Sequence, residues 1–194
     1  MYQVQDHYFK KAKKENYLAR SVYKLQEIDE KYRLIKPGDK ILDLGCAPGS
    51  WLQYCAQKVG EKGLVVGVDI KPLPAMIAPN VRFLQGDLLK MRPAEIAKIC
   101  PVYDLVLCDM APATSGIKWL DQERSQQLVN ISWNFAKHSL KPGGGFLTKL
   151  FQGENTKNFL DELRKSFAQV KTVKPQTSQR SKLEIYLLAD GWKS

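Results

Sequence analysis

Short apolar segments recur along this chain, separated by turn residues or by stretches with helical spacing of apolar positions. The spacing predicts a helix over residues 16–32, and the turn at 36–39 leads into a strand at 41–44. Further helices are predicted from about residue 50, over 122–140 and over 155–167. Further strands are predicted at 65–70, 81–84, 105–109, 145–150, 170–173 and 184–188. This alternation predicts an α/β fold with a parallel sheet.

The last two predicted strands should break the parallel pattern. The polar loop 174–182 between them is too short for a crossover helix, so these strands should pair antiparallel. We therefore expect a mostly parallel seven-stranded sheet with an antiparallel last strand and helices on both faces. The length of 194 residues and the 44% hydrophobic content predict one domain over 1–194, with an N-terminal arm and first helix over 1–40 and a core over 41–194.

Composition excludes several classes of protein. Residues 1–14 contain no apolar stretch, which predicts neither a signal peptide nor a membrane span and favours a cytoplasmic protein. The cysteines lack C-x-x-C or Cys/His metal spacing, so we expect reduced, buried thiols and no metal site. We also expect a monomer. The four cysteines are Cys46, Cys55, Cys100 and Cys108.

Positive charge is concentrated at the two ends of the chain. Residues 1–40 carry ten positive and six negative side chains and residues 165–194 carry six and two, which accounts for eight of the ten net positive charges. Segment 8–17 mixes lysines with Tyr8, Phe9 and Tyr17, a composition that suits an RNA backbone and exposed bases. The alternative is a solvated basic arm that aids solubility. Charge alone does not decide between them.

A glycine-bounded loop follows the first predicted strand. Gly45 and Gly49 allow the backbone to approach a ligand, and Asp43 precedes them within the strand. The loop reads G-x-x-x-G and lacks the third glycine of the dinucleotide pattern G-x-G-x-x-G. A carboxylate here would repel a diphosphate but suits the cationic groups of S-adenosylmethionine (SAM). SAM is therefore the predicted cofactor.

Two more acids end the next strands. Asp69 lies 20 residues after Gly49, where an acid can grip ribose hydroxyls in a Rossmann-type unit, and Asp87 could accept a hydrogen bond from adenine. Trp51 could pack against the ligand. Singly, each acid could be a helix N-cap or a loop residue, Trp51 a core residue and each glycine a turn. Acids at the ends of three successive strands favour the cofactor site, because ligands bind at those carboxyl ends.

Ionisable residues also occur in apolar surroundings. Asp109 ends the fourth strand, Lys149 and Glu184 lie within later apolar strands, and Lys24 lies on the first predicted helix. A buried lysine is costly unless it is paired. Two lysines and two carboxylates balance in charge, so they could form a reactive cluster or a pair of partly buried salt bridges.

From about Asp6 to Lys193, the chain resembles the FtsJ/RrmJ family of ribose 2′-O-methyltransferases. Five motifs carry this resemblance, and they occupy residues 19–25, 43–51, 109–112, 149–154 and 181–186. The second motif reads DLGCAPGSW and contains Pro48, and the last motif begins with Ser181 and Lys182. The resemblance implies a Rossmann-like SAM-dependent methyltransferase fold. It implies a catalytic tetrad of Lys24, Asp109, Lys149 and Glu184. It also implies SAM contacts from Gly49, Trp51, Asp69, Asp87 and Asp109.

Within this resemblance, a ribose 2′-oxygen attacks the SAM methyl group, and Lys149 either removes its proton or orients the hydroxyl. The compact length and the segment 151–154 look most like the branch that methylates a uridine in the A-loop of large-subunit ribosomal RNA. A tRNA anticodon-loop methyltransferase is the alternative.

Two other classes remain open from the residues alone. A nicotinamide-dependent reductase would share the strand, loop and acid pattern but would leave Lys24 and Glu184 without a role. A noncatalytic RNA-binding or ribosome-assembly factor would need the basic ends but not the ionisable cluster.

Overall fold

The computed structural model describes residues 3–74, 77–178 and 183–194. Ser181 and Lys182, which belong to the last motif, lie outside the described residues. The helices are α1 (Gln3–Lys14), α2 (Val22–Tyr32), α3 (Ser50–Val59), α4 (Pro93–Ala97), α5 (Lys118–Ser139) and α6 (Thr156–Ser166). The strands are β1 (Lys40–Leu44), β2 (Leu64–Asp69), β3 (Val81–Gln85), β4 (Tyr103–Cys108), β5 (Leu140–Phe151), β6 (Phe167–Val173) and β7 (Glu184–Trp192).

The described strands form one sheet in the order β3-β2-β1-β4-β5-β7-β6. Strands β1 to β5 pair parallel, and β7 lies antiparallel between β5 and β6. The predicted mostly parallel sheet with an antiparallel last strand is confirmed. The antiparallel pairing predicted for the last two strands is also confirmed.

Successive residues along each strand face opposite sides of the sheet and contribute to two separate apolar cores. Leu42 and Leu44 face a core shared with α4, α5 and α6, whereas Ile41 faces a core shared with α1, α2 and α3. Helices therefore cover both faces, as predicted. Each of the four cysteines is buried and free.

The predicted helix over 16–32 begins later than expected, at Val22, and a separate helix α1 precedes it. Asn16 has a φ of 59°. This left-handed conformation, which asparagine tolerates better than most residues, cannot continue a right-handed helix. The helical conformation is therefore interrupted between α1 and α2.

The strand register brings the predicted acids to one edge of the sheet. Leu44 pairs with Val68 of β2 on one side and with Cys108 of β4 on the other. Asp69 directly follows Val68, and Asp109 directly follows Cys108. Carboxyl-terminal ends of parallel strands thus gather these side chains beside the loop that follows β1.

Candidate active site

The loop after β1 is anchored to β2 and passes close to neighbouring side chains. The Gly45 amide donates to the Val68 carbonyl over 2.8 Å, and the Ala47 amide donates to Asp69 Oδ2 over 2.8 Å. Gly45 has a φ of 74°, and a Cβ added there would collide with the Met110 side chain. Only glycine fits this position without strain.

Two adjoining cavities open at this edge of the sheet. The larger one, the strand-end cleft, has a volume of about 420 Å³ and is lined by residues that include Asp69, Asp87 and Met110. The smaller one, the loop cavity, has a volume of about 50 Å³ and is lined by Ser21, Asp43, Cys46, Pro48, Ser50 and Trp51 together with the shared residues. Gly45, Ala47 and Asp109 line both cavities. The two spaces therefore suit one elongated ligand.

Most residues predicted to bind the cofactor line these cavities, but Gly49 does not. It has a φ of 108°, and a Cβ there would collide with the Ile77 side chain. Leu18 and Leu73 lie on the same side. The left-handed backbone of Gly49 favours glycine here, and its predicted contact with the ligand stays a prediction.

The predicted acids on β2 and β3 also organise their own loops. Besides its bond from Ala47, Asp69 accepts a hydrogen bond from the Lys71 amide at 2.8 Å. Asp87 accepts one from the Leu89 amide at 3.0 Å. These bonds fix both carboxyl groups along the strand-end cleft, where their remaining lone pairs can accept from a ligand.

Asp43 is the least satisfied side chain of the site. It is 1% exposed, and its Oδ2 atom has no hydrogen-bond partner among the described residues. Burial raises the pKa of this carboxyl well above its usual range, and the charges of Asp109 and Asp69 raise it further. A cationic group in the adjoining loop cavity would pair with this oxygen, so the site favours a positively charged ligand.

The four ionisable residues predicted to form a cluster make two ion pairs. Lys24 Nζ lies 2.7 Å from Glu184 Oε1, and Lys149 Nζ lies 2.9 Å from Asp109 Oδ1. Lys149 also donates to the Asp109 backbone carbonyl, and its side chain is only 5% exposed. Partly buried salt bridges are therefore present, and Asp109 places one of them against the strand-end cleft and the loop cavity.

Tyr186 links the two ion pairs, a role that the sequence analysis missed. Its hydroxyl donates to Asp109 Oδ1 at 2.5 Å, and Lys24 Nζ lies 5.8 Å from the centre of its ring. Burial, followed by the charges of Asp109 and Glu184, raises the pKa of Tyr186 and keeps the phenol protonated. Its position two residues after Glu184 on a strand, hence on the same face, could have signalled this contact.

Hydrogen bonds of Ser178, which was not predicted, and of Trp51, which was, also support the site. Ser178 is buried, and its Oγ donates to Glu184 Oε1 at 2.5 Å. Trp51 Nε1 donates to the Ser21 carbonyl at 2.9 Å, while the Trp51 ring packs 6.3 Å from that of Tyr186. No periodicity in the polar loop around Ser178 indicates its contact, so the sequence carried no usable signal for it.

The basic N-terminal segment forms helix α1, whose aromatic side chains are only partly available. The ring of Tyr8 packs 5.4 Å from that of Tyr23, and the Tyr17 hydroxyl donates to Gln57. Phe9 is 62% exposed. Tyr8 and Tyr17 therefore take part in packing within the protein, and stacking on bases by this segment stays a prediction. The exposed lysines of this helix are Lys10, Lys11, Lys13 and Lys14.

The described part of the chain contains neither a metal-binding cluster nor a membrane-spanning helix. No group of three or more His, Cys, Asp or Glu side chains in ranges 3–74, 77–178 and 183–194 is arranged to hold a metal ion. Within those same ranges, no helix has both the length and the apolar character needed to cross a bilayer.

The sheet order, the glycine loop and the acidic strand ends define a Rossmann-like methyltransferase. The chain belongs to the FtsJ-like methyltransferase family, whose sequence pattern matches residues 17–192. It is 47% identical to ribosomal RNA large subunit methyltransferase E of Syntrophobacter fumaroxidans, covering 96% of this chain and 95% of that one. The protein of the same name from Bdellovibrio bacteriovorus is 44% identical, with 96% of both chains covered.

A solved structure agrees with these sequence relatives. A Plasmodium falciparum chain described as a ribosomal RNA methyltransferase superposes with a TM-score of 0.81 at 32% identity. The superposition covers 91% of this chain and 98% of that one. The predicted family and fold class are thus confirmed.

Proposed function

We propose that this protein transfers a methyl group from SAM to the ribose 2′-hydroxyl of a uridine in the A-loop of large-subunit ribosomal RNA. The observation that carries the proposal is that Asp109 takes part in two features of the site. This residue lines the strand-end cleft and the loop cavity and is also ion-paired to Lys149 and hydrogen-bonded to Tyr186. One residue would thereby join a cofactor site to a cluster of ionisable groups.

The residues present fit SAM. Asp43, with its orphaned buried oxygen, would hold a cationic group of the cofactor, and Pro48 and Trp51 would enclose the same end. Asp69 and Asp87 along the strand-end cleft would hold the ribose and adenine. SAM, when bound, supplies the electrophilic methyl group. A diphosphate would be repelled by the carboxylates of this edge.

Lys149 is the proposed base. Its Nζ atom, held by Asp109, would accept the proton of the ribose hydroxyl when the side chain is in its amine form. Tyr186 would hold Asp109 in place, and the Lys24–Glu184 pair would bind and orient the ribose. Holding the hydroxyl in an attacking position can itself contribute several kcal/mol, up to about 7–11 kcal/mol in the best-oriented systems.

The charge distribution and the relatives support RNA as the substrate. Helix α1 presents exposed lysines beside Tyr23, the neighbour of Lys24 in sequence, so bound RNA backbone would lead toward the tetrad. The names of the related proteins specify ribosomal RNA of the large subunit. These names favour ribosomal RNA over the tRNA anticodon loop, whereas the lysines of α1 suit either RNA.

The test is to incubate the protein with isotopically labelled SAM and undermethylated large ribosomal subunits, with bulk tRNA in parallel. Nuclease digestion and mass spectrometry then locate any label. One ribose-methylated uridine in the A-loop is the expected result. Label in tRNA alone would overturn the ribosomal target, and no label in either RNA would overturn the proposed activity.

A further inference from the structure

A third cavity lies beside the tetrad, on the surface between α5 and α6. This α5–α6 pocket has a volume of about 260 Å³. One wall is formed by α5 residues spaced i, i+3, i+4 and i+7, which is one face of a helix. The other wall is the segment 151–156 at the end of β5 and the start of α6. The α5 residues are Trp119, Gln122, Glu123 and Gln126.

The pocket is built on well-anchored elements. Asp121 is buried and accepts from both the amide (2.7 Å) and the hydroxyl (2.8 Å) of Ser115, which fixes the chain entering α5. The Phe151 amide donates to Ser125 Oγ at 2.9 Å, which ties the opposite wall to the same helix. These bonds fix the backbone of the helix that carries Trp119, and this residue is 64% exposed at the rim of the pocket.

The sheet register places this pocket next to the tetrad. Phe151, which lines the pocket, pairs with Glu184 of β7. Lys149 lies two residues earlier on the same strand, a distance of about 7 Å along the backbone. A nucleotide that flanks the one held at Lys149 can therefore reach the pocket.

The chemistry of the lining selects against a phosphate and in favour of a base. Two carboxylates, Glu123 and Glu154, line the pocket, and among the described residues no lysine or arginine does. A phosphate would be repelled there. An aromatic base can stack on Trp119, and its exocyclic amino group can donate to a carboxylate or to a side-chain amide oxygen.

We propose that the α5–α6 pocket binds the base of a nucleotide adjacent to the methylated one, with Trp119 as the stacking platform and Glu123 as the acceptor for an exocyclic amino group. This inference rests on the proposed function, since it requires RNA at the tetrad. The α5–α6 pocket would add a contact that distinguishes one base from another, besides the contact with the ribose of the methylated nucleotide.

The test compares steady-state methyl transfer to undermethylated large ribosomal subunits by the wild type, Trp119→Ala, Trp119→Phe and Glu123→Gln. Loss of one stacking contact should raise KM for the subunits about tenfold in Trp119→Ala, and kcat should change little because the contact is remote from the reacting atoms. Trp119→Phe should stay within about threefold of the wild type, since it keeps an aromatic face. Glu123→Gln should raise KM by severalfold.

Controls separate this role from a structural one. Glu61→Gln changes an exposed acid in the turn before β2, at the opposite edge of the sheet, and should leave KM unchanged. SAM affinity and the unfolding temperature should be the same in all variants. An unchanged KM in Trp119→Ala with an active wild type would overturn the base pocket alone. A wild type inactive on both large subunits and tRNA would overturn the proposed function and the pocket with it.

Discussion

At the scale of single residues, Asp43 combines complete burial with an oxygen that lacks a hydrogen-bond partner in the part of the chain that the structure describes. The folded state raises its pKa, so the folded protein holds this proton more tightly than the unfolded chain does. As pH rises above about 4, the ordinary carboxyl pKa, this difference increasingly lowers the free energy of unfolding. Near neutral pH, Asp43 therefore costs stability and is suited to pair with a cationic ligand.

We expect Asp43→Asn to unfold at the same or a higher temperature than the wild type at pH 7 when no SAM is added. The same variant should bind SAM at least about tenfold more weakly, because a charge-assisted contact is lost. Thermal unfolding with and without SAM measures both effects. Glu61→Gln serves as the matched control, and an undiminished SAM-induced shift in Asp43→Asn would contradict the role given to this carboxylate.

Tyr186 provides a second test at this scale. Tyr186→Phe keeps the ring that packs on Trp51 but removes the hydrogen bond to Asp109. We expect methyl transfer to fall about tenfold with SAM affinity nearly unchanged, because a hydrogen bond to a charged group is lost. Single-turnover kinetics measure the loss.

The control for that variant is Tyr54→Phe. Tyr54 is also buried and donates to a carboxylate, Asp29 Oδ2, at 2.7 Å, but this bond joins α3 to the second half of α2 and involves no tetrad residue. The Tyr54→Phe variant should have a lower unfolding temperature and the same transfer rate as the wild type. Equal transfer by Tyr186→Phe and the wild type would remove the positioning role of Tyr186.

The sequence predicted the site's principal residues but not how they support one another. Charged residues in apolar strands stand out, so Lys149 and Glu184 could be predicted without coordinates. Ser178 could not, because its contact with Glu184 depends on how a polar loop folds back. The sequence predicted Gly49 as a ligand contact but could not show that Ile77 packs against it.

At the scale of elements, helix α1 carries the proposed RNA backbone contacts. We expect Lys13→Ala/Lys14→Ala to weaken binding of large ribosomal subunits and to reduce the slope of log affinity against log salt by about two, one per lost phosphate contact. Filter binding across a salt series measures both quantities. SAM affinity should not change.

Lys62→Ala/Lys98→Ala is the matched control for the α1 variant. These two exposed lysines precede β2 and β4, at the edge of the sheet opposite the tetrad. The double variant lowers net charge by the same amount without touching α1. If it reduced affinity and salt slope as much as the α1 variant, general charge and not α1 would explain RNA binding.

Element boundaries show where periodicity fails as a guide. The spacing of apolar residues in α2 was predicted correctly, but the helix was predicted to start at Asn16, whose left-handed backbone cannot belong to a right-handed helix. Helix α1 was treated as a basic arm because its lysines obscure an apolar face that includes the buried Ala12. Local propensity did not reveal that Tyr8 packs on Tyr23.

At the scale of the whole molecule, the sheet topology concentrates the proposed chemistry at one edge. The carboxyl ends of β1, β2 and β4 hold the residues proposed to bind the cofactor, and β5 with β7 brings Lys149 and Glu184 alongside. The short loop before β7 was enough to predict antiparallel pairing. It did not predict that β7 lies between β5 and β6, because strand order depends on contacts distant in sequence.

The most direct measurement is the single-turnover rate of methyl transfer to undermethylated large ribosomal subunits by Lys149→Ala at saturating SAM. Removing the proposed base should lower the rate by at least about 100-fold, while SAM binds with nearly wild-type affinity. Lys62→Ala controls for the loss of one positive charge. A Lys149→Ala rate within a few fold of the wild type would contradict the central role of this lysine, and loss of SAM binding would show that it is structural.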